Sequence, residues 1–128
     1  MLDKTDKKTV FNELYELVNG ARDYSDRKLY HNFYMRFATA ECFDDDYLNN
    51  LNVLKGKYSI NDRDSIYHAI IPLVDQLSVE ECCTLLSFVL RAERWSEGWF
   101  KECLQNGSIQ SLLARAREII NNNNNQEE

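Results

Sequence analysis

Residues 78–93 read Ser-Val-Glu-Glu-Cys-Cys-Thr-Leu-Leu-Ser-Phe-Val-Leu-Arg-Ala-Glu. Ser78 and Glu81 have the Ser-x-x-Glu spacing of a capping box, in which each side chain satisfies the other's free backbone N–H. The spacing predicts a helix from Val79 to about Glu93. Cys82, Cys83, Leu85, Leu86, Phe88, Val89, Leu90 and Ala92 then cover nearly every side of it. A helix that is apolar all round has no solvent face, so its neighbours must pack on it from several directions. The expected fold is therefore all-α, a compact bundle of six or seven short helices around this central helix at about 79–93.

Toward the N-terminus the same periodicity repeats. Val10, Phe11, Leu14, Leu17 and Val18 mark a first helix over about Asp6–Asn19, with Thr5 or Asp6 as cap and Gly20 at its end. Tyr30, Phe33, Tyr34, Phe37, Ala40 and Glu41 mark a second, about Lys28–Glu41, with a strongly aromatic face. Asp44-Asp45-Asp46 breaks that pattern and supplies a cap and a negative first turn for a third helix, Tyr47 to Lys55. Leu48, Leu51, Val53 and Leu54 form its apolar side, and Gly56 ends it. A fourth begins after Asn61 or Asp62, with Ile66, Ala69, Ile70, Leu73, Val74 and Leu77 as its stripe. Pro72 must kink or split it, because it removes a hydrogen bond and clashes one turn back. Toward the C-terminus, Ser96 caps a short helix over about Glu97–Gln105. Asn106-Gly107 terminates that helix, and Ser108 caps the last, Ile109 to about Asn121.

With 128 residues, 44% of them hydrophobic, the chain fits one domain over 1–120, with a disordered asparagine-rich tail over 121–128. A domain of this size buries roughly two-thirds of its unfolded surface and needs no metal or disulfide to fold. The opening residues, MLDKTDKKTV, lack the apolar core of a secretory leader. No apolar run reaches the ~20 residues of a membrane span. These features lead to an expectation of a cytoplasmic protein with no membrane partner. Cys42, Cys82, Cys83 and Cys103 show no Cys-x-x-Cys spacing, so reduced, buried thiols are expected. The net charge of −6 argues against direct nucleic-acid binding, which calls for a basic patch.

The densest cluster of unusual residues is Arg91, Glu93, Arg94, Trp95, Gly98 and Trp99, where the central helix ends. Cations suit the negative end of a helix, and residues three apart share a side of it. Arg91 and Arg94 beside Trp95 and Trp99 can thus form an anion site against an aromatic wall. The plainer reading is a charge network, with Glu93 as one partner, that pins the turn. Tyr30 and Tyr34, with His31 beside them, line either a binding surface or the core. Asp44-Asp45-Asp46 suits capping better than a cation, since the spacing of a calcium loop is absent. His31 and His68 sit in no metal pattern. No nucleophile elbow, phosphate loop or cysteine–histidine pairing occurs. No catalytic residue, metal or cofactor is expected.

The stretch LLSFVLRAERWSEGWFKECLQNGSIQSLLARAREI, from Leu85 onward, carries an Arg-x-x-Arg-aromatic-x-x-Gly motif and then Asn-Gly-Ser-Ile before a Leu-Leu helix. It resembles the C-terminal part of a family of small uncharacterised bacterial proteins known only as a domain of unknown function. The resemblance rests on Arg91, Glu93, Arg94, Trp95, Gly98, Leu104, Gly107 and Ile109. It implies a compact helical domain of bacterial or phage type and no particular activity. Three functional readings follow. The first is a non-catalytic protein-interaction module using Arg91, Arg94, Trp95, Trp99, Tyr30 and Tyr34, with a protein partner or a second copy of the chain. The second is an acidic inhibitor, of immunity or anti-defence type, that blocks a nucleic-acid-processing or toxin protein. The third is a small-anion binder or enzyme built on Arg91 and Arg94.

Overall fold

The computed structural model describes residues 4–60 and 69–127, and among these residues there are six α-helices, one 3-10 segment and no strand. The helices are α1 (Lys4–Asn19), α2 (Arg27–Thr39), α3 (Tyr47–Lys57), α4 (Val79–Ala92), α5 (Trp99–Gln105) and α6 (Ser108–Glu127). The 3-10 segment is Ile71–Gln76. The expected all-α bundle is what forms.

The helix from Val79 occupies the centre. The capping box is closed on both sides. The Ser78 N–H donates to Glu81 Oε1 at 2.8 Å, and the Glu81 N–H donates to Ser78 Oγ at 3.1 Å. Leu85, Val89 and Leu90 are wholly buried, and so is the polar Ser87. Ser87 is tolerated there because its hydroxyl donates to the Cys83 carbonyl and accepts from the Asp44 N–H. Helices α3, α5 and α6 all pack on α4, and α6 also lies along α1.

Burying one Leu or Phe side chain contributes about 1.5–3 kcal/mol, whereas an exposed ion pair such as Arg36–Glu13 contributes ~0–1 kcal/mol. The apolar core therefore holds the bundle. It includes Phe11, Phe33, Phe37, Leu86 and Leu112. Polar bonds set register. The Arg117 Nε donates to Asn12 Oδ1 at 2.8 Å, joining α6 to α1. The Arg115 Nε donates to the Leu77 carbonyl at 2.9 Å, joining α6 to the segment before α4.

Several helix boundaries differ from the sequence reading, each for a local reason. Helix α2 stops at Thr39, and Glu41 does not continue it. Glu41 takes φ 60°, the Glu41 N–H donates to the Ala38 carbonyl and the Cys42 N–H donates to the Phe37 carbonyl. This pair of bonds is a Schellman motif formed without glycine. Helix α3 ends the same way. It runs through Gly56 to Lys57, and Ser59 takes the left-handed turn with φ 56°. On α3, Leu51 and Leu54 are buried, but Leu48 and Val53 are exposed, so only half of the expected apolar side faces the core.

Pro72 splits its element and does not merely bend it. Ala69 and Ile70 are helical, and Ile71–Gln76 follows as a 3-10 turn. Ile70 and Leu77 are buried, Leu73 and Val74 are partly so, and Ala69 is exposed. The expected start at Asn61 or Asp62, together with Ile66 and His68, lies outside the described residues. Helix α6 continues past Asn121, since neither glycine nor proline stops it.

Candidate functional site

The corner after α4 is built by Glu93. Gly98 adopts φ 92° and offers no side chain to cap α5. No atom lies within 4 Å of where a Cβ would sit on Gly98, so the glycine is required for its backbone angle and not for close packing. The exposed N–H groups at the start of α5 are satisfied by the Glu93 carboxylate. Gly98 N–H donates to Oε2 at 3.0 Å and Phe100 N–H donates to Oε1 at 2.8 Å. Ser96, expected to cap this helix, contributes only its carbonyl, which accepts from the Trp99 N–H. Glu93 is thus a helix cap and not the partner of the neighbouring arginines.

The two arginines part company. Arg91 belongs to α4 and lies partly buried, with its guanidinium 4.8 Å from the Phe43 ring centroid. It lines a shallow cleft with Tyr34, Glu41 and Asp45. The Arg91 Nε is buried without a hydrogen-bond partner among the described residues. Helix α4 ends at Ala92, so Arg94 leaves the helical path and is exposed. It lines a different cleft, of about 750 Å³, with Tyr30, His31, Glu93 and Lys101. The two guanidinium groups thus line separate clefts, although both act on the Tyr30 hydroxyl. Arg94 makes no ion pair among the described residues, whereas Arg27 and Glu97 in the same cleft approach to 3.9 Å.

The tryptophans also differ. Trp95 is 67% exposed, the most exposed large hydrophobic side chain among the described residues. Trp99 is partly buried and packs against the core.

Tyr30 and Tyr34 serve the join between α2 and α4. The Tyr30 hydroxyl donates to the Leu90 carbonyl at 2.7 Å, satisfying one of the last acceptors of α4. Burial pushes the Tyr30 hydroxyl above its ordinary pKa, with Tyr34 and Glu93 adding to the shift and the two arginines opposing it. Tyr34 stacks on Phe43, with centroids 5.7 Å apart, and meets Tyr30 edge-on at 5.9 Å. The aromatic face of α2 is mainly packing, and only the rim of Tyr30 borders the larger cleft.

A third cleft, of about 400 Å³, lies between the segment after α2, α3 and the start of α4. Cys42, Asp44, Cys83 and Thr84 line it. Asp44 accepts from Thr84 Oγ1 and Asn50 Nδ2, each at 2.7 Å, and from the Asp46 N–H at 2.9 Å. Burial works against ionisation, but these bonds hold the Asp44 carboxyl below its usual range. Asp44 is thus a brace between α3 and α4. No group of three metal-ligating side chains occurs among the described residues. No helix among them is long and apolar enough to cross a membrane.

Residues 61–122 match a protein family described as a family of unknown function (DUF6508). The match contains the whole of the α4–α5 corner. No curated protein and no solved structure matches the chain.

Proposed function

We propose that this chain is a non-catalytic protein-interaction module of bacterial or phage origin, cytoplasmic, and that it recognises its partner through the corner formed by Arg94, Trp95 and the cleft beside them. One observation carries the reading. An arginine without an ion pair among the described residues stands next to a tryptophan that is 67% exposed. Leaving so large an apolar side chain in water contributes nothing to folding, and Trp and Arg are the residue types that dominate binding hot spots. Of the acidic groups that line the cleft, Glu93 and Asp26 accept from backbone N–H groups. Glu93 caps α5, and Glu97 faces Arg27. Arg94 and Lys101 therefore remain to receive an acidic segment of the partner, with Trp95 as the apolar anchor and Arg94 fixing orientation through paired hydrogen bonds. The anion-binder reading is the weaker one, since Arg91 and Arg94 line separate clefts.

The test uses the wild-type chain and an Arg94→Ala/Trp95→Ala variant as baits in nuclease-treated lysate of the source cell, with bound proteins identified by mass spectrometry. A stoichiometric protein retained by the wild type and lost by the variant is expected. Identical recovery on both baits, or none on either, overturns the proposal.

A further inference from the structure

Helix α3 carries apolar side chains on two sides. Leu51 and Leu54 face the core. On the outer side Leu48 and Val53 are 62% and 65% exposed, and Asn49, Asn52 and Gly56 are exposed with them. Residues three and four apart are neighbours on a helix, so these five form one continuous stripe, about 12 Å long from Leu48 to Gly56. No charged residue occurs between Asp46 and Lys55, although 28% of the chain is charged. The solvent face of a helix ordinarily carries charged groups. This face has none, and it leaves two aliphatic side chains in water.

The ends of the stripe indicate what covers it. Asp45 and Asp46 stand exposed before the first turn, and Lys55 and Lys57 lie in the last. The Asp46 carboxylate caps no backbone N–H. Lys55 makes no ion pair among the described residues. The acidic end of one α3 therefore matches the basic end of another that runs in the opposite direction. The positive and negative ends of the two helix dipoles then also lie side by side. A face whose complement is itself, turned end for end, defines a two-fold contact between identical chains.

We infer that α3 is the contact between two copies of this chain, packed antiparallel about a two-fold axis at Asn52, the middle of the stripe. This contact uses other residues than the Arg94–Trp95 corner and does not depend on it. At the axis the Asn52 amide of each copy meets its counterpart, and an amide both donates and accepts. A polar side chain at that point fixes register more than it adds strength. Counted outward from the axis, Leu48 falls opposite the partner's Gly56. No atom lies within 4 Å of where a Cβ would sit on Gly56, so Leu48 has room to lie against that backbone. The same count brings Asp46 to within one residue of the height of the partner's Lys57. Lys57 already holds Glu81 at 2.8 Å, and its three donors allow it to serve both carboxylates. Two 11-residue helices cover less than the about 1,200 Å² at the low end of stable interfaces, so the dimer is reversible and forms at roughly 10–100 µM.

The experiment sediments the full wild-type chain at concentrations from about 5 to 500 µM, which bracket that range. The weight-average mass is expected to climb from that of one chain toward that of two. Asn52→Asp and Asn52→Lys each set like charges against each other at the axis, and each should raise the dissociation constant at least about tenfold. Mixed in equal amounts, the two variants should pair again, because the axis then joins opposite charges. Leu48→Ser should weaken association with Tm unchanged, since the side chain is exposed. A wild type that stays single throughout, association that survives both Asn52 variants, or variants that stay apart when mixed would overturn the inference. So would association that Arg94→Ala/Trp95→Ala abolishes and the Asn52 variants do not. The wild-type series and Leu48→Ser decide the matter even if an Asn52 variant does not fold.

Discussion

At the N-terminal end of α4, Glu81 folds back on Ser78, while at its C-terminal end Glu93 reaches forward to Gly98 and Phe100. Both glutamates do the same work, accepting from backbone N–H groups that a helix start leaves open. What surrounds them differs. Glu81 also holds Lys57 at 2.8 Å, and the side chains from Cys82 to Ser87 beyond it along α4 are buried. Past Glu93 the chain turns outward and leaves Arg94 and Trp95 in solvent. One end of the helix is used up by the fold. The other is braced just as firmly, yet Arg94 and Trp95 take no part in the bracing. That contrast, and not the number of charged residues, separates a structural cluster from a candidate binding surface.

Substitutions sharpen the contrast in order of expected size. Leu86, 1% exposed, sits mid-helix between the two ends, and Leu86→Ala should cost about 3 kcal/mol in chemical denaturation. A loss near zero would mean that α4 is not the centre of the core. Glu93→Ala removes the acceptor of two N–H groups and should cost about 1–2 kcal/mol. It should also raise amide exchange selectively in α5, and uniform exchange would show that the cap is idle. Ser78→Ala opens the capping box at a cost of about 1 kcal/mol. Arg94→Ala and Trp95→Ala should each change stability by less than ~0.5 kcal/mol, as exposed substitutions do. A larger loss at either would move the corner into the same class as the buried end.

The start of α4 also responds to acid. Burial opposes it, but hydrogen bonds from Lys57 and Ser78 hold the Glu81 carboxyl below its ordinary value of 4.5. A carboxyl with a depressed pKa in the folded state stabilises the fold fully above its unfolded value, and loses that contribution as pH falls through the folded value. Denaturation followed from pH 7 downward should therefore show wild-type stability falling below about pH 4.5, with a shallower fall in Glu81→Gln. Parallel curves would show that Glu81 is not held by these partners.

The sequence makes the buried end legible because its signals are local. Ser78 and Glu81 are three apart, and the apolar run that follows admits one reading. Pro72 marks a break for the same reason, since its effect lies in its own ring. The helix ends at Glu41 and Ser59 were not legible, because non-glycine residues rarely adopt positive φ and nothing in their side chains announces it. Gly56 misled for the converse reason, as a glycine tolerated inside a helix. Helical spacing suggested that Arg91 and Arg94 act together, but the helix ends between them. The bonds from Asp44 to Ser87 and Thr84 have no spacing signal at all, since they join residues 40 or more apart in sequence.

The most direct test of the account is the affinity of the captured partner for the wild type, Arg94→Ala and Trp95→Ala, measured by titration on proteins of matched thermal stability. The account predicts that each substitution weakens binding at least about tenfold, or ~1.4 kcal/mol, while Tm stays put. Unchanged affinity in both variants would contradict it and return the corner to the fold.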